Sequence, residues 1–418
     1  MRASRRQFLI GGAAAGLALS ASSPAWAAGG TDGLTSMAGN AKPISREERI
    51  GRIARAQELM RARNIGALLV EAGSSLLYFT GIDWWRSERL TAAIIPADGD
   101  LLIVTPAFEE PSIRESLAVP GEVDVWEEDE SPIARLSDFL QRRKLDKGTI
   151  AIEETVRFFA VDGLREALPG AEIVSGGPVV RGCRMIKSPA ELALMQIAAD
   201  IQIAAFRHIA PRIERGMSQQ DIQAMLIAAS RALGGDSDGG LILIGESSAY
   251  PHGSHVPRRV ADGEIILFDA GVSVFGYQSD ISRTMVYGRP ADARQRRLFD
   301  QVRRGQDIAM ETARVGTPAG EVDDAVRAYY TSLGYGPGYR LPGTPHRTGH
   351  GIGMDGHEPV NLVHGETTPL APGMCFSNEP GIYMPGVFGV RIEDCFYITD
   401  EGPRWFTRPP ASIDRPFD

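Results

Sequence analysis

The sequence predicts an α+β fold, with a smaller α/β domain leading into a larger α+β domain. Three observations carry this. Short apolar runs alternate with helical patterns up to about residue 180; a proline-bearing capping box at Ser188 then opens a long helix; and from there the order becomes helix, helix, strands, helices, strands. A length of 418 residues holds two to three domains at about 150 residues each, so cores can form without disulfides. Hydrophobic residues at 43% and charged residues at 23% belong to a folded chain rather than a disordered one. Lys+Arg at 44 against Asp+Glu at 53 gives a net charge of -9, which argues against nucleic acid or an anionic membrane as the main partner.

The first residues read as an address. Ser4-Arg5-Arg6-Gln7-Phe8-Leu9 is a charged start, Ile10 to Leu19 is apolar, and Ala25-Trp26-Ala27 is a small-residue cleavage site. Residues 1-27 resemble a twin-arginine export signal, which implies a periplasmic mature protein exported folded. A membrane anchor is the weaker reading, because glycines dilute the apolar stretch and it falls short of the about 20 residues a spanning helix needs. No later segment is long and apolar enough to span, so no membrane association is expected after processing. Residues 1-27 carry Arg2, Arg5 and Arg6 and no acid, so cleavage lowers the net charge from -9 to -12.

Residues 28-43, rich in Gly, Ala, Thr and Ser, are expected to form a disordered lead-in. Ser45-Arg46-Glu47-Glu48 is a capping box that opens a helix turning Ile50, Ile53, Ala54 and Met60 inward. Ala67-Val70, Leu90-Ile95 and Leu101-Val104 read as strands, and Ile133-Arg143 and Arg157-Leu168 as helices, giving an α/β domain over 44-180. The loop expected at Arg181-Lys187 marks the boundary. Ser188-Pro189-Ala190-Glu191, with proline at the first helical position, then opens the domain over 188-418.

The chemistry lies in that second domain. Asp269 and Asp280 are eleven residues apart, an odd separation that would split them between two faces of one straight strand. A hairpin turning near Val274-Phe275 instead sets them opposite each other on one face. Glu379 and Glu393 repeat the device, because their midpoint is Gly386 in the turn-prone Pro385-Gly386. Four carboxylates facing one point repel in a dry core, where an unpaired charge costs several kcal/mol or shifts its pKa, and cations relieve that. His350, in His346-Arg347-Thr348-Gly349-His350-Gly351-Ile352-Gly353, is the fifth candidate ligand. A lone histidine in a glycine-rich strand is more often a structural hydrogen-bonder, but four converging carboxylates reverse that balance. Four carboxylates and one imidazole describe a hard dinuclear site that prefers Mn²⁺ and accepts Co²⁺ or Zn²⁺. Two such ions about 3.5–4 Å apart bridge a water, lower its pKa toward about 7 and polarise a carbonyl, which is the chemistry of amide hydrolysis. The three cysteines, Cys183, Cys375 and Cys395, show no CxxC pair and no thiolate metal spacing. Cys375 and Cys395 flank the Glu379/Glu393 hairpin, where buried free thiols and a bridge between the ligand strands both remain open.

At these residues the sequence resembles the pita-bread metallopeptidases, which include aminopeptidase P, prolidase, methionine aminopeptidase and the metal-free creatinase. The resemblance spans residues 45-418. Asp269 and Asp280 with their spacing, His350 in Gly-His-Gly-Ile-Gly, Glu379 in Glu-Pro-Gly-Ile-Tyr and Glu393 in Arg391-Ile392-Glu393-Asp394 match all five family ligand positions. His252 in Pro251-His252-Gly253 matches the histidine near the scissile nitrogen, His357 the one that stabilises the carbonyl oxygen, and Arg391 the arginine beside the last ligand. The resemblance implies a C-terminal pita-bread fold behind a creatinase-type N-terminal domain, and a homodimer or tetramer. The metal-bridging hydroxide would attack the carbonyl, with Glu379 carrying the proton to the leaving nitrogen. His208, His255, His346 and His364 are not expected as ligands.

The leading expectation is an exported peptidase acting on peptides with proline at the second position. Prolidases commonly supply a cation for the dipeptide carboxylate, between the positions matching His357 and Glu379. The stretch from Glu358 to Asn378 holds no Arg or Lys, which tilts the reading toward aminopeptidase P unless Arg340 or Arg347 stands in. A dipeptidase, a metal-dependent small-molecule hydrolase or lyase, and a non-catalytic peptide binder are the alternatives.

Overall fold

The computed structural model describes residues 30–418, and the expected export signal lies outside the described residues. The N-terminal half runs α1 (Arg46–Arg61), β1 (Ala67–Glu71), α2 (Ser74–Thr80), β2 (Ala92–Pro96), β3 (Leu101–Pro106), α3 (Glu110–Ser116), β4 (Gly121–Trp126), α4 (Pro132–Arg142), β5 (Thr149–Ile152), α5 (Phe158–Ala167), β6 (Glu172–Ser175) and α6 (Gly177–Arg184). Its six-stranded mixed sheet has the order β4-β3-β2-β1-β5-β6. The central strands β1, β2 and β3 are buried at every position, as expected where both faces are covered, and their unbroken apolar runs are legible in the sequence. The strands at the two edges, Gly-Glu-Val-Asp-Val-Trp and Glu-Ile-Val-Ser, are half exposed and carry acids, so no apolar run announces them.

Three local expectations are corrected. Residues 30–43 are ordered rather than a disordered lead-in: Met37 N donates to Leu233 O at 2.8 Å, and His208 Nε2 lies 2.6 Å from Gly30 O. Leu34, Ala38 and Ala41 pack on the core there, so a short apolar spacing outweighs the Gly/Ser composition. Helix α1 begins at Ser45, whose hydroxyl accepts from Glu48 N, but its inward face differs from expectation. Met60 is buried and Ile53 partly so, whereas Ile50 and Ala54 are exposed, and Arg49 and Arg52 turn inward. They do so because the last turn of α2 presents open carbonyls: Arg49 donates to Leu77 O and Tyr78 O, and Arg52 to Tyr78 O at 3.1 Å. Lastly, most of the expected Arg181-Lys187 loop is the end of α6, leaving only Met185 to Lys187 as connector.

The C-terminal half runs α7 (Pro189–Ile209), α8 (Gln219–Ala232), β7 (Leu241–Ile244), β8 (Ile265–Ala270), β9 (Ser273–Val274), β10 (Tyr277–Gln278), β11 (Ile281–Val286), α9 (Ala293–Thr312), α10 (Ala319–Ser332), β12 (Gly349–Gly351), β13 (Glu358–Leu362), β14 (Cys375–Asn378), β15 (Gly381–Met384), β16 (Phe388–Arg391), β17 (Asp394–Thr399) and β18 (Gly402–Trp405). Ser188 caps α7 with both halves of the capping box in place. The strands form the sheets β11-β8-β7 and β13-β12-β14-β17-β18, with β9-β10 and β15-β16 as separate hairpins. The larger core is continuous across the two halves, joining Leu68, Tyr78 and Phe79 to Leu194, Phe268 and Tyr277, and full burial of each such side chain contributes about 1.5–3 kcal/mol. A polar link crosses the same seam, where Arg52 Nη2 donates to Tyr277 Oη and Tyr277 Oη to Glu191 Oε1, each at 2.9 Å. No helix among the described residues is long and apolar enough to cross a membrane.

Candidate metal centre and active site

Strand β8 carries Asp269 near its end, and β9 and β10 return the chain through Phe275-Gly276, both at positive φ (48° and 84°) as two-residue hairpin turns require. The turn lies one residue beyond the expected Val274-Phe275. Asp269 therefore faces Ser282 on β11, and Asp280 sits on the diagonal rather than directly opposite. Positions 280 and 282 share a face, so the two carboxylates still converge.

Glu379 and Glu393 hold the expected register. Asn378 pairs with Asp394 and Gly381 with Arg391, and the two glutamates lie between these ladders, where the paired strands leave one sheet for the other. Ser282 and Glu393 exchange backbone hydrogen bonds at 3.3 and 3.1 Å, which fastens the first hairpin to the second. Beneath them, the buried pair Arg283–Asp394 closes at 2.7 Å, and Arg283 also donates to Glu393 O at 2.8 Å. Cys375 lies opposite Tyr397 and Cys395 opposite Ser377; all three cysteines are buried free thiols.

His350 lies on β12 with its Nδ1 3.0 Å from Gly351 O, so the proton sits on Nδ1 and the Nε2 lone pair is free. That Nε2 is 3.3 Å from Glu379 Oε1 and 3.8 Å from Asp280 Oδ2. Gly349 beside it is required by close approach, since a Cβ there would meet Ser377 O at 2.1 Å. Donor atoms lie within 4.8 Å of one another in three groups: Asp269/Asp280/Glu393, His350/Glu379/Glu393 and Asp280/His350/His357. The first two share Glu393, which is the layout of a two-cation site. All five expected ligands, with His252, His357 and Arg391, line one cavity of about 430 Å³, within the usual range of about 300–1,000 Å³ for small-ligand pockets.

The electrostatics fit divalent cations. Burial first, then the neighbouring carboxylates, push Asp280, Glu379 and Glu393 well above the usual carboxylate range. Burial, then His357, holds His350 down to about 3, so its ring is neutral, as a ligand must be. Arg391 is the guanidinium that touches the acids: it donates to Asp269, to Ser282 Oγ at 3.0 Å and to Tyr383 Oη at 2.8 Å. Burial opposes its charge, but Asp269 and then Tyr383, Glu393 and Glu379 raise its pKa further above the ordinary arginine value. One guanidinium cannot neutralise four carboxylates, and each uncompensated buried charge costs several kcal/mol. An oxygen-rich donor set with one neutral imidazole and no thiolate suits a dinuclear site for hard divalent ions.

Sequence reasoning missed two participants, Ser282 and Tyr383. The Ser282 hydroxyl lies 3.1 Å from Asp269 Oδ1 and 2.7 Å from Glu393 Oε2, joining the two hairpins. Tyr383 stands between Arg391 and His346, whose Nε2 is 2.9 Å from Tyr383 Oη. Burial, then Arg391, lowers His346 to about 3, and its ring backs the site without reaching it as a ligand. No spacing signal marks a serine or tyrosine for such roles. His255 lines a neighbouring cavity, and His364 pairs with Asp324 at 2.7 Å on the surface.

Comparison with known proteins agrees with this geometry. Residues 52–186 match the Creatinase/Prolidase N-terminal domain and residues 193–400 match Metallopeptidase family M24. The chain is 32% identical over 362 residues to the Xaa-Pro dipeptidase of Lactobacillus helveticus, covering 85% of this chain and 96% of that protein. Among solved structures it is similar to dipeptidase PepE from Mycobacterium ulcerans, with TM-score 0.79, 28% identity, and 88% of this chain and 98% of that one covered. The prolidase from Thermococcus sibiricus gives TM-score 0.80 at 27% identity, covering 88% and 98%. The two matched regions reproduce the two halves of the fold, and the second contains all five converging ligands, so the chain belongs to the pita-bread metallopeptidases of family M24.

Proposed function

We propose that this metallopeptidase is an Xaa-Pro dipeptidase, releasing proline from free dipeptides. The observation that carries the reading is Arg347. Its side chain lines the active-site cavity and pairs with no acid among the described residues, while its charge acts on Glu379, His350 and His357. An unpaired guanidinium beside the reacting centre suits a free C-terminal carboxylate at the dipeptide end. Arg340 is exposed and outside the cavity lining. The tilt toward aminopeptidase P rested on the absence of a cation between Glu358 and Asn378, and it yields because Arg347 supplies one from the preceding loop. The relatives whose names carry dipeptidase or prolidase support the same reading.

Asp269, Asp280, His350, Glu379 and Glu393 would hold two divalent cations, with Mn²⁺ the ion proposed. Bound there, the ions polarise the scissile carbonyl and acidify a water. Glu379 takes the proton of the attacking water and delivers it to the proline nitrogen. His357 steadies the developing oxyanion, and His252 contacts the leaving side. Arg391 keeps Asp269 oriented through their hydrogen bond. Tyr339, Pro345 and Val363 offer the pyrrolidine ring an apolar wall.

With Mn²⁺-loaded protein, kcat/KM for Ala-Pro is expected to exceed that for Ala-Pro-Pro at least tenfold. Arg347→Met is expected to raise KM for Ala-Pro about 10- to 100-fold, the loss of a charge-assisted hydrogen bond of about 1.5–3 kcal/mol, while leaving Ala-Pro-amide hydrolysis unchanged. Equal turnover of the tripeptide, or an equal loss with the amide, would assign the protein to the aminopeptidase class instead.

Export is proposed on the sequence pattern of residues 1-27 alone. Intact mass from a periplasmic extract is expected to give a chain starting near Ala28, and an unprocessed cytosolic product would refute it.

A further inference from the structure

His357 lines the active-site cavity with its ring 4.0 Å from that of His350, yet it makes no hydrogen bond to a protein group among the described residues, so its place depends on that packing and on the turn that carries it. That turn, Gly353 to Glu358, is built around one buried carboxylate. Glu358 Oε1 accepts from Met354 N at 3.0 Å and Asp355 N at 3.2 Å, folding the turn onto itself. Two cations from the domain boundary reach the same carboxylate. Lys187 Nζ, in the connector, donates to Glu358 Oε2 at 2.9 Å, and Arg184 Nη2, at the end of α6, donates to Glu358 Oε1. Arg184 Nη2 also holds Asp355 Oδ2 at 2.9 Å, while its Nη1 donates to Ser74 Oγ and Ser75 Oγ at the start of α2, each at 3.0 Å. Ser74 Oγ completes the ring by donating to Asp355 Oδ2 at 2.9 Å. The packing leaves no slack, since a Cβ at Gly353 would meet Lys187 Cε at 2.7 Å and Glu358 Oε1 at 2.9 Å.

We propose that Arg184, Lys187 and Glu358 form a clamp through which the N-terminal half positions His357, making Arg184 a positioning residue for catalysis although it touches no substrate. The two arms of the Arg184 guanidinium tie the His357 turn to α2, so the domain seam holds the backbone from which the imidazole reaches His350 and the cavity. The clamp is preorganised: Glu358 is buried, and although burial alone would raise its pKa, Lys187 and Arg184 hold it down to about 2, which keeps it anionic throughout the working range. This inference rests on the reading that His357 stabilises the carbonyl oxygen, and its test separates the two.

The experiment is a double-mutant cycle on the full, Mn²⁺-loaded chain with His357→Ala, Arg184→Lys and the pair, reading kcat, KM and bound metal with Ala-Pro. Arg184→Lys keeps the buried charge, and so the fold, but one ammonium cannot span Ser74, Ser75, Asp355 and Glu358. It is expected to lower kcat about 10-fold with KM and metal stoichiometry unchanged, and to cost nothing further once His357 is alanine. An unchanged kcat in Arg184→Lys, or the same loss in both backgrounds, overturns the clamp while leaving His357 its role. An unchanged kcat in His357→Ala takes down the reading of His357 and the clamp with it. Should Arg184→Lys fold poorly, Lys187→Arg tests the other arm by the same cycle and with the same readings.

Discussion

Glu379→Gln is expected to lower kcat about 10³-fold or more while the protein still binds metal, because the amide keeps a carbonyl oxygen for an ion but has no carboxylate to take a proton. Glu379 is the group proposed to combine both roles. Its Oε1 is 3.3 Å from His350 Nε2, and it lines the cavity beside Arg347 and His357, whereas Glu393, which lines the same cavity, also accepts from the Ser282 hydroxyl at 2.7 Å. Metal analysis alongside steady-state kinetics decides the matter. A Glu379→Gln enzyme with near-normal turnover would remove Glu379 from proton transfer, and one that lost its metal would show that ligation alone accounts for the defect.

Removal of metal is the second large effect. Chelation, Asp269→Ala and His350→Ala are each expected to abolish turnover, with activity returning to the chelated wild type on addition of Mn²⁺ and not to the variants. The same carboxylates give this a pH signature. Asp280, Glu379 and Glu393 are raised by burial and then by the neighbouring carboxylates, Asp269 among them, so in the metal-free fold they hold protons at a pH where they would be ionised in the unfolded chain. A carboxyl raised in this way adds stability that is fully present below its unfolded value of about 4 and is lost as pH rises through the folded value. Cations displace those protons and must compete with them at low pH, whereas His350, held to about 3, does not compete. The stabilisation, read as a rise in Tm on adding Mn²⁺, is therefore expected to grow as pH rises above the ordinary carboxylate range, reaching about 2.7 kcal/mol when the ion is at a hundred times its Kd. A Tm increment that shrank with rising pH would mean the ions bind elsewhere.

The chain of groups behind the site explains why those acids can be packed so closely. Arg391 and Ser282 hold Asp269, Ser282 also meets Glu393, and the Arg283–Asp394 pair holds the strand that follows. Apart from the Ser282–Asp269 contact inside the first hairpin, each of these joins β8 or β11 to the stretch from β16 to β17. Those partners are more than a hundred residues apart in the chain, so the contacts leave no local pattern in the sequence.

Short-range periodicity and turn chemistry account for what could be read before the fold was known. The central strands β1 to β3 each carry an unbroken apolar run of at least four residues, Ser188 announces α7 with a proline and a glutamate at the proper offsets, and the symmetry of Glu379 and Glu393 about Gly386 fixes their register to the residue. The four candidate carboxylate ligands were legible for the same reason, since a hairpin turns sequence distance into a known spatial one, and His350 was legible only beside them. Where the outcome depended on partners far along the chain, the closed fold had to settle it. Arg49 and Arg52 point inward because the end of α2 offers carbonyls to them, the opposite of what an apolar stripe predicts. Residues 30–43 are ordered because α7 and α8 provide a surface for them. Arg347 rather than Arg340 faces the cavity because the buried Asp323 accepts from Thr348 N at 3.0 Å and Arg327 donates to His346 O, and these two contacts shape the loop from both sides. A side chain's direction is set by the hydrogen bonds open to it once the fold has closed, and those partners are not encoded in its own neighbourhood.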